Sequence, residues 1–313
     1  MTGAPVLVEV VRSGFVESVH RGAVVVTAPD GSVRLSAGDV TEPMFPRSAN
    51  KPLQAVGMLR AGLASEAADL ALTCGSHSGE SGHVERVAAM LAAAHLGPSA
   101  LACPPAFPLH EPSMRAAVEP LRVTMNCSGK HAGMLATCVA AGWPTDGYED
   151  PAHPLQQLIA ETVEELTGEP IAATGVDGCG APLFAFSLTG LARSFGRLVQ
   201  AGPGSAQRRV ADAMRAHPWL VAGTDREDTL LMEGVPGLLS KVGAEGVLAM
   251  ALADGTAVAL KMADGAKRGC APLALAVLEH LGADVSELGD LARPPVLGGG
   301  QEVGHLRVSW RAP

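Results

Sequence analysis

Ser48 and Lys51 stand three residues apart in the run Phe45-Pro46-Arg47-Ser48-Ala49-Asn50-Lys51-Pro52, a spacing that can turn an inert hydroxyl into a nucleophile. Residues three apart share one face of a helix, so at a helix start the lysine amine lies beside the serine hydroxyl, and acyl transfer becomes the leading chemistry. The same pair also suits a capping serine followed by a solvated lysine. Lysine usage weighs towards chemistry: the chain has only Lys51, Lys130, Lys241, Lys261 and Lys267, against 18 arginines. Arginine is the ordinary surface cation here and cannot serve as a base, whereas an ammonium loses its proton when desolvated or crowded by other cations. For a lysine to act as a base near neutrality, a pKa of about 10.4 must fall by about 3, or roughly 4 kcal/mol.

Four further stretches combine glycine with reactive side chains. In Thr73-Cys74-Gly75-Ser76-His77-Ser78-Gly79-Glu80 the glycines allow sharp turns, so either Ser76 or Ser78 can face a cleft; the alternative is a polar loop whose Ser81 caps the next helix. Asn126-Cys127-Ser128-Gly129-Lys130-His131 leads into a helix. It is not a phosphate loop, because His131 stands where a hydroxyl is needed and Thr124, five residues before Gly129, is not glycine. Gly175-Val176-Asp177-Gly178-Cys179-Gly180 sets a carboxylate two residues from a thiol. Cys127 and Cys179 can converge as soft ligands, with His131 or Lys130 completing a zinc site, or can simply be small buried hydrophobes, since no C-x-x-C pair is present. In Leu260-Lys261-Met262-Ala263-Asp264-Gly265 a lysine near the end of an apolar strand either snorkels off an edge or points into a site.

The chain that must position these residues is 313 long, 47% hydrophobic and 18% charged, the profile of a soluble globular protein able to bury a sizeable core. Pro144, Pro151 and Pro154 mark a mid-chain break with no change of composition, so one catalytic domain over residues 1–313 is expected. A net charge of -9 argues against nucleic-acid and anionic-membrane partners and favours a small polar substrate. Aromatics at 3% leave little for stacking bases or sugars. No apolar run approaches the ~20 residues of a spanning helix. The start Met1-Thr2-Gly3-Ala4 lacks the charge of a signal peptide, and six cysteines in a chain this long read as thiols or ligands, so a cytoplasmic setting is expected.

Alternating apolar residues predict strands at Val6 to Val11, Phe15 to Val19 and Gly22 to Thr27, with Asp30-Gly31 turning into Val33-Arg34-Leu35. Helical periodicity follows at Leu53 to Leu63, Val84 to Leu96, Ala132 to Ala141, Leu155 to Leu166 and Ala206 to Ala216. Strands return at Gly246 to Met250 and Ala257 to Met262 around Asp254-Gly255, and at Leu306 to Trp310. The implied architecture is α/β of the α+β type: one largely antiparallel sheet built from both chain ends, with helices around it and Lys261 carried back towards the N-terminal strands.

Five runs in order, Pro46-Arg47-Ser48-Ala49-Asn50-Lys51-Pro52, Ser76-His77-Ser78-Gly79-Glu80, Asn126 to Met134, Gly175 to Gly180 and Ala259 to Gly265, resemble the class 3, rhizobial-type L-asparaginases of the asparaginase II family over nearly the whole chain. The threonine-nucleophile motifs of ordinary bacterial asparaginases are not visible. The resemblance implies a serine β-lactamase/glutaminase-like sandwich, a homodimer, and hydrolysis of L-asparagine to L-aspartate and ammonia. Residue by residue it implies two Ser–Lys pairs, Ser48 with Lys51 and Ser76 with Lys261, beside zinc held by Cys127, Lys130 and Cys179. Ser78 competes with Ser76 for the second serine. Arg47 and Asp177 are candidates for gripping the substrate's α-carboxylate and α-ammonium by charge, and His131 for orienting the substrate or a zinc-bound water. Glutamine is a close alternative substrate, because one methylene changes binding by only ~1–3 kcal/mol. A penicillin-recognising acyl-serine enzyme would need a K-T-G strand, and Lys261-Met262-Ala263-Asp264-Gly265 lacks the Thr-Gly. Two Ser–Lys pairs weigh against a non-enzymatic zinc- or amino-acid-binding sensor.

Overall fold

In the strand Ala257-Val258-Ala259-Leu260-Lys261-Met262, small and large side chains alternate, so one face admits closely packed helices while the other takes bulky aliphatics. The same division runs through the whole molecule, a computed structural model that describes residues 3–311. Its strands are β1 (Val6–Arg12), β2 (Phe15–Thr27), β3 (Val33–Ala37), β4 (Pro43–Met44), β5 (Ala173–Val176), β6 (Pro182–Ser187), β7 (Leu239–Gly243), β8 (Val247–Ala251), β9 (Ala257–Met262), β10 (Pro295–Gly298) and β11 (Gln301–Val308). The large antiparallel sheet runs β10-β11-β1-β2-β9-β8-β7, with β3 also paired to β2, and a small sheet runs β4-β6-β5. Both chain ends therefore meet in one sheet, as the sequence implied.

The helices are α1 (Lys51–Arg60), α2 (Ala67–Thr73), α3 (Ser81–Ala93), α4 (Glu111–Ala116), α5 (Ser128–Ala141), α6 (Pro154–Thr167), α7 (Leu188–Gln200), α8 (Ala206–Ala216), α9 (Pro218–Val221), α10 (Glu227–Gly234), α11 (Cys270–His280) and α12 (Gly289–Ala292). The alanine face of the sheet, with Ala23, Ala249, Ala251, Ala257 and Ala259, joins a core with Leu53, Val56, Ile159, Val163, Leu191 and Phe195 of α1, α6 and α7. The opposite face, with Val24, Val26, Leu248, Val258 and Leu260, is covered by Leu273, Leu275 and Leu278 of α11 and Leu231 of α10. Helix α1 is buried from Lys51 to Met58, so it is a central helix rather than an amphipathic surface one. Among the described residues no helix is long and apolar enough to cross a membrane.

Two expectations are corrected. The predicted strands 15–19 and 22–27 form one 13-residue strand, because Gly22 does not break it: the glycine lies so close to the Lys261 carbonyl oxygen that any Cβ would collide there. Strand β2 pairs with β1 through its first part and with β9 through its second. The last strand starts at Gln301 rather than Leu306, because Gly299 and Gly300, both at positive φ, turn the chain into a hairpin with β10.

Candidate active site

Ser48 is not the first residue of an α-helix. Residues Arg47–Asn50 form a single 3₁₀ turn in which the Ala49 amide donates to the Pro46 carbonyl oxygen at 3.1 Å, and α1 begins at Lys51, whose amide caps the Ser48 carbonyl. Pro52 falls in the first helical turn, where its missing N–H costs nothing. Arg47 has φ 53°, a left-handed conformation that costs a non-glycine residue about 1–2 kcal/mol. It is held there by an ion pair: its Nε donates to Asp177 Oδ1 at 2.8 Å. The two residues expected to grip opposite ends of a substrate thus meet each other, and tie the Ser48 turn to the loop that carries Cys179. From the other side, Gly243 of β7 abuts the Pro46 carbonyl oxygen, fixing the turn against the sheet.

Lys51 is 1% exposed, and its Nζ donates to the Gly75 carbonyl at 2.5 Å and to Ser76 Oγ at 3.0 Å. The expected lysine is therefore beside a serine, and that serine is Ser76. Ser48 is half-buried at the start of the same turn. Ser78 is engaged elsewhere: its hydroxyl donates to the Ala222 carbonyl at 2.9 Å and receives a bond from Arg226 at 3.1 Å. His77 lies between the two serines with its Nε2 2.9 Å from Ser128 Oγ, and burial pushes its pKa well below the usual imidazole range. Asn50 Nδ2, buried next to Lys51, has no hydrogen-bond partner.

Lys261 is not brought to Ser76. Its amine donates to the carbonyls of Glu245, at 2.5 Å, and Met262, at 2.8 Å, and it lines a separate cavity with Asp39, Glu42 and Met44. Besides Lys130, the lysine that shares the interior with Lys51 is Lys241, in the centre of β7 and 1% exposed. It donates to Asp228 Oδ2 at 2.8 Å and to the Val242 carbonyl at 2.9 Å. Its pKa lies below the ordinary lysine value: burial draws it down, Asp228 offsets part of that, and Lys51 is close enough to draw it down again. The Cys74 thiol, in the field of both lysines, is pushed up to about 12 by burial and stays protonated. A signal for Lys241 was present in the chain: Lys241-Val242-Gly243 has the lysine and glycine of a K-T-G strand, with valine between them.

Cys127, Lys130 and Cys179 do converge. Cys127 immediately precedes α5, Lys130 lies in its first turn, and Cys179 arrives on the β5–β6 turn; all three are buried. Lys130 Nζ donates to Cys179 Sγ at 3.1 Å. The Cys179 thiol is pushed down, first by a hydrogen bond from Cys127 and then by the Lys130 ammonium and His131, while Cys127 is pushed up by that same hydrogen bond and by burial. Burial would lower Lys130, but Cys179, Cys127 and Asp177 outweigh it and raise it. Cys179 is thus drawn towards losing its proton, and Cys127 and Lys130 towards keeping theirs. His131 donates or accepts through Nδ1 at Tyr148 Oη, 2.6 Å away, and its buried Nε2 has no partner. Among the described residues no three His, Cys, Asp or Glu side chains group as a metal cluster, so a zinc site here depends on the Lys130 amine. Two sulfurs and an amine, with Lys130 deprotonated, are a donor set that suits zinc with an open fourth position.

Several solved structures are similar at low identity. Mglu in its native form superposes with a TM-score of 0.48 at 13% identity, over 85% of this chain and 65% of that one. A β-lactamase from Mycobacterium bovis superposes with a TM-score of 0.42 at 18% identity, over 83% of this chain and 94% of that one. Neither likeness is close enough to carry a functional argument. No curated protein matches the chain. The model of the family described as L-asparaginase II matches residues 8–308, which include Ser48, Lys51, Ser76, Lys241 and the Cys127/Lys130/Cys179 group. The chain belongs to the L-asparaginase II family.

Proposed function

We propose that the protein hydrolyses L-asparagine to L-aspartate and ammonia through a seryl ester formed by Ser48. The observation that carries the reading is the Lys51 amine, buried and 3.0 Å from Ser76 Oγ, three residues after Ser48. The family is one of asparaginase-type amidohydrolases, and the substrate is accordingly a small amide.

Ser48 Oγ attacks the side-chain amide carbon, forming a C–O bond and a tetrahedral oxyanion. Its proton passes to Lys51, directly or through the Ser76 hydroxyl, which is already hydrogen-bonded to that amine. The lysine returns the proton to the departing nitrogen, the C–N bond breaks, and ammonia leaves a β-aspartyl ester. Water then attacks the ester carbon, gives a proton to Lys51 and releases aspartate as Ser48 regains its own. Lys241, paired with Asp228, contributes fixed positive charge near the reacting groups. Zinc held by Cys127, Lys130 and Cys179 would supply a Lewis-acidic charge beside the substrate. Arg47 and Asp177 remain candidates for the substrate's charged groups; because they pair with each other, binding by either would exchange one ion pair for another. A homodimer in a cytoplasmic setting, with one catalytic domain over residues 1–313, is part of the same proposal.

A second reading makes Ser76 the nucleophile, since Ser76 rather than Ser48 is hydrogen-bonded to Lys51. Ammonia release from asparagine, glutamine and a chromogenic β-lactam, measured for the wild type, Ser48→Ala and Ser76→Ala, separates the readings. The proposal requires asparagine turnover that folded Ser48→Ala loses. Turnover that survives in Ser48→Ala and vanishes in Ser76→Ala transfers the role to Ser76.

A further inference from the structure

With Lys130 assigned to the cysteines, the buried lysines Lys51 and Lys241 raise the question of which one accepts the proton. Their surroundings differ sharply. Lys51 has only neutral acceptors, the Gly75 carbonyl and the Ser76 hydroxyl. Lys241 faces Asp228, a carboxylate 2% exposed in the first turn of α10. That carboxylate is bonded from several directions: by Ser240 Oγ at 2.9 Å, by the Val242 amide at 2.8 and 3.0 Å to its two oxygens, and by Lys241 Nζ at 2.8 Å. The one cation among these donors is the Lys241 amine, and breaking a buried pair of this kind strands a charge without a partner.

Resting on the function proposed above, we propose that Asp228 is a positioning residue that keeps Lys241 as a fixed cation, leaving the proton-accepting role to Lys51. The groups around Lys241 are consistent with this division. Arg226, just before α10, and Lys51 oppose its charge, and the Cys74 thiol at the end of α2 is protonated and offers no countercharge. Arg47, in the 3₁₀ turn packed on β7, is directed to Asp177 and Glu245. Arg215 of α8 reaches the Gly237 carbonyl, and on β8 the residue paired with Lys241 is Ala249. Asp228 is therefore the countercharge of Lys241, and its removal exposes the lysine to burial and two neighbouring cations.

The test uses the scarcity of lysine. With five lysines in the chain, the side-chain carbon resonances of isotopically labelled lysine can be assigned by single Lys→Arg variants and followed through a pH titration without any turnover. In the wild type Lys241 should remain protonated through about pH 8, and in Asp228→Asn it should lose its proton within that range. In parallel, the ratio of kcat/KM at about pH 8 to that at about pH 6 should fall at least about 10-fold in Asp228→Asn, since each pH unit beyond deprotonation removes a factor of ten of the cation. A purely structural role would scale activity equally at both pH values. A neutral Lys241 in the wild type near pH 7, or an unchanged Lys241 titration in Asp228→Asn, overturns the proposal. If Asp228→Asn does not fold, the wild-type titration decides alone. A charged Lys241 in a wild type that releases no ammonia from asparagine sinks the assigned activity and leaves the ion-pair assignment standing.

Discussion

Gly243→Ala tests whether the strand after Lys241 positions the nucleophile. An alanine Cβ would overlap the Pro46 carbonyl oxygen, lie 3.0 Å from Val247 Cβ and come within 3.4 Å of the Ala49 amide nitrogen. Two of those three neighbours are backbone atoms of the turn that carries Ser48, so no side-chain rotation relieves the clash. Overpacking of this kind costs about 1–3 kcal/mol. At about 1.5–2 °C per kcal/mol for a chain of this length, Tm should fall by about 2–6 °C. Activity should suffer more, because the atoms pushed aside include the Pro46 carbonyl that anchors the 3₁₀ turn, and a displacement approaching 1 Å at a reacting group can cost ~100-fold. The expected result is a folded protein with kcat/KM down about 10- to 100-fold for ammonia release. Gly97→Ala is the control: a Cβ there meets nothing within 4 Å, and both Tm and activity should hold. If Gly243→Ala kept wild-type Tm and kcat/KM, the claim that β7 fixes the Ser48 turn would be wrong.

Lys51→Arg should abolish turnover, because a guanidinium cannot accept the serine proton, whereas Lys261→Arg should keep most of it, since that amine serves two backbone carbonyls; the reverse outcome in steady-state assays would restore Lys261 to the site. Protein purified without chelator should carry about one zinc per chain, lost in Cys179→Ser and reduced in Lys130→Arg, and an elemental analysis showing none would remove the metal from the mechanism. His77 and His83 are both held below their usual pKa by burial, so the unfolded chain binds more protons below about pH 6.5. Stability should be full above that pH and fall on acidification, by about 1.4 kcal/mol per pH unit for each histidine. A thermal midpoint that stays level from pH 7 to pH 5 would contradict that, and His77→Gln should flatten part of the slope.

Periodicity located the meander, the Asp254-Gly255 hairpin and the helices α1, α3, α5, α6 and α8, because each follows from a local pattern of apolar residues. The site was legible in part where chemistry clusters in a short run: Cys127 and Lys130, one turn apart, both lie beside Cys179, whereas the Lys51 amine expected at Ser48 is hydrogen-bonded to Ser76. Lys241 was missed because it sits in an apolar strand, where a lysine reads as an edge residue, and its countercharge Asp228 lies in a different element. Lys261 drew attention for the same local reason, yet its amine is spent on carbonyls of its own strand end and the neighbouring turn. Helix α7 was not predicted, although Leu188, Leu191, Ala192, Phe195, Leu198 and Val199 recur at helical spacing, so its signal was present in the chain.

The pairing of β1 with β11 also governs the order of events during synthesis. At ~5–20 residues per second, the ribosome completes residues 301–308 about 15–60 s after residues 6–12 emerge. Until then the first hairpin has an open edge, and β2 waits nearly as long for β9. Lys241 and Gly243 likewise reach the Ser48 turn only late. Nascent chains therefore carry the Ser48 segment before the strand that fixes it exists, and unpaired strands of the kind that holdase chaperones bind and neighbouring chains invade. Yield in a heterologous host should consequently depend on chaperone supply and growth temperature more than on the stability of the finished fold.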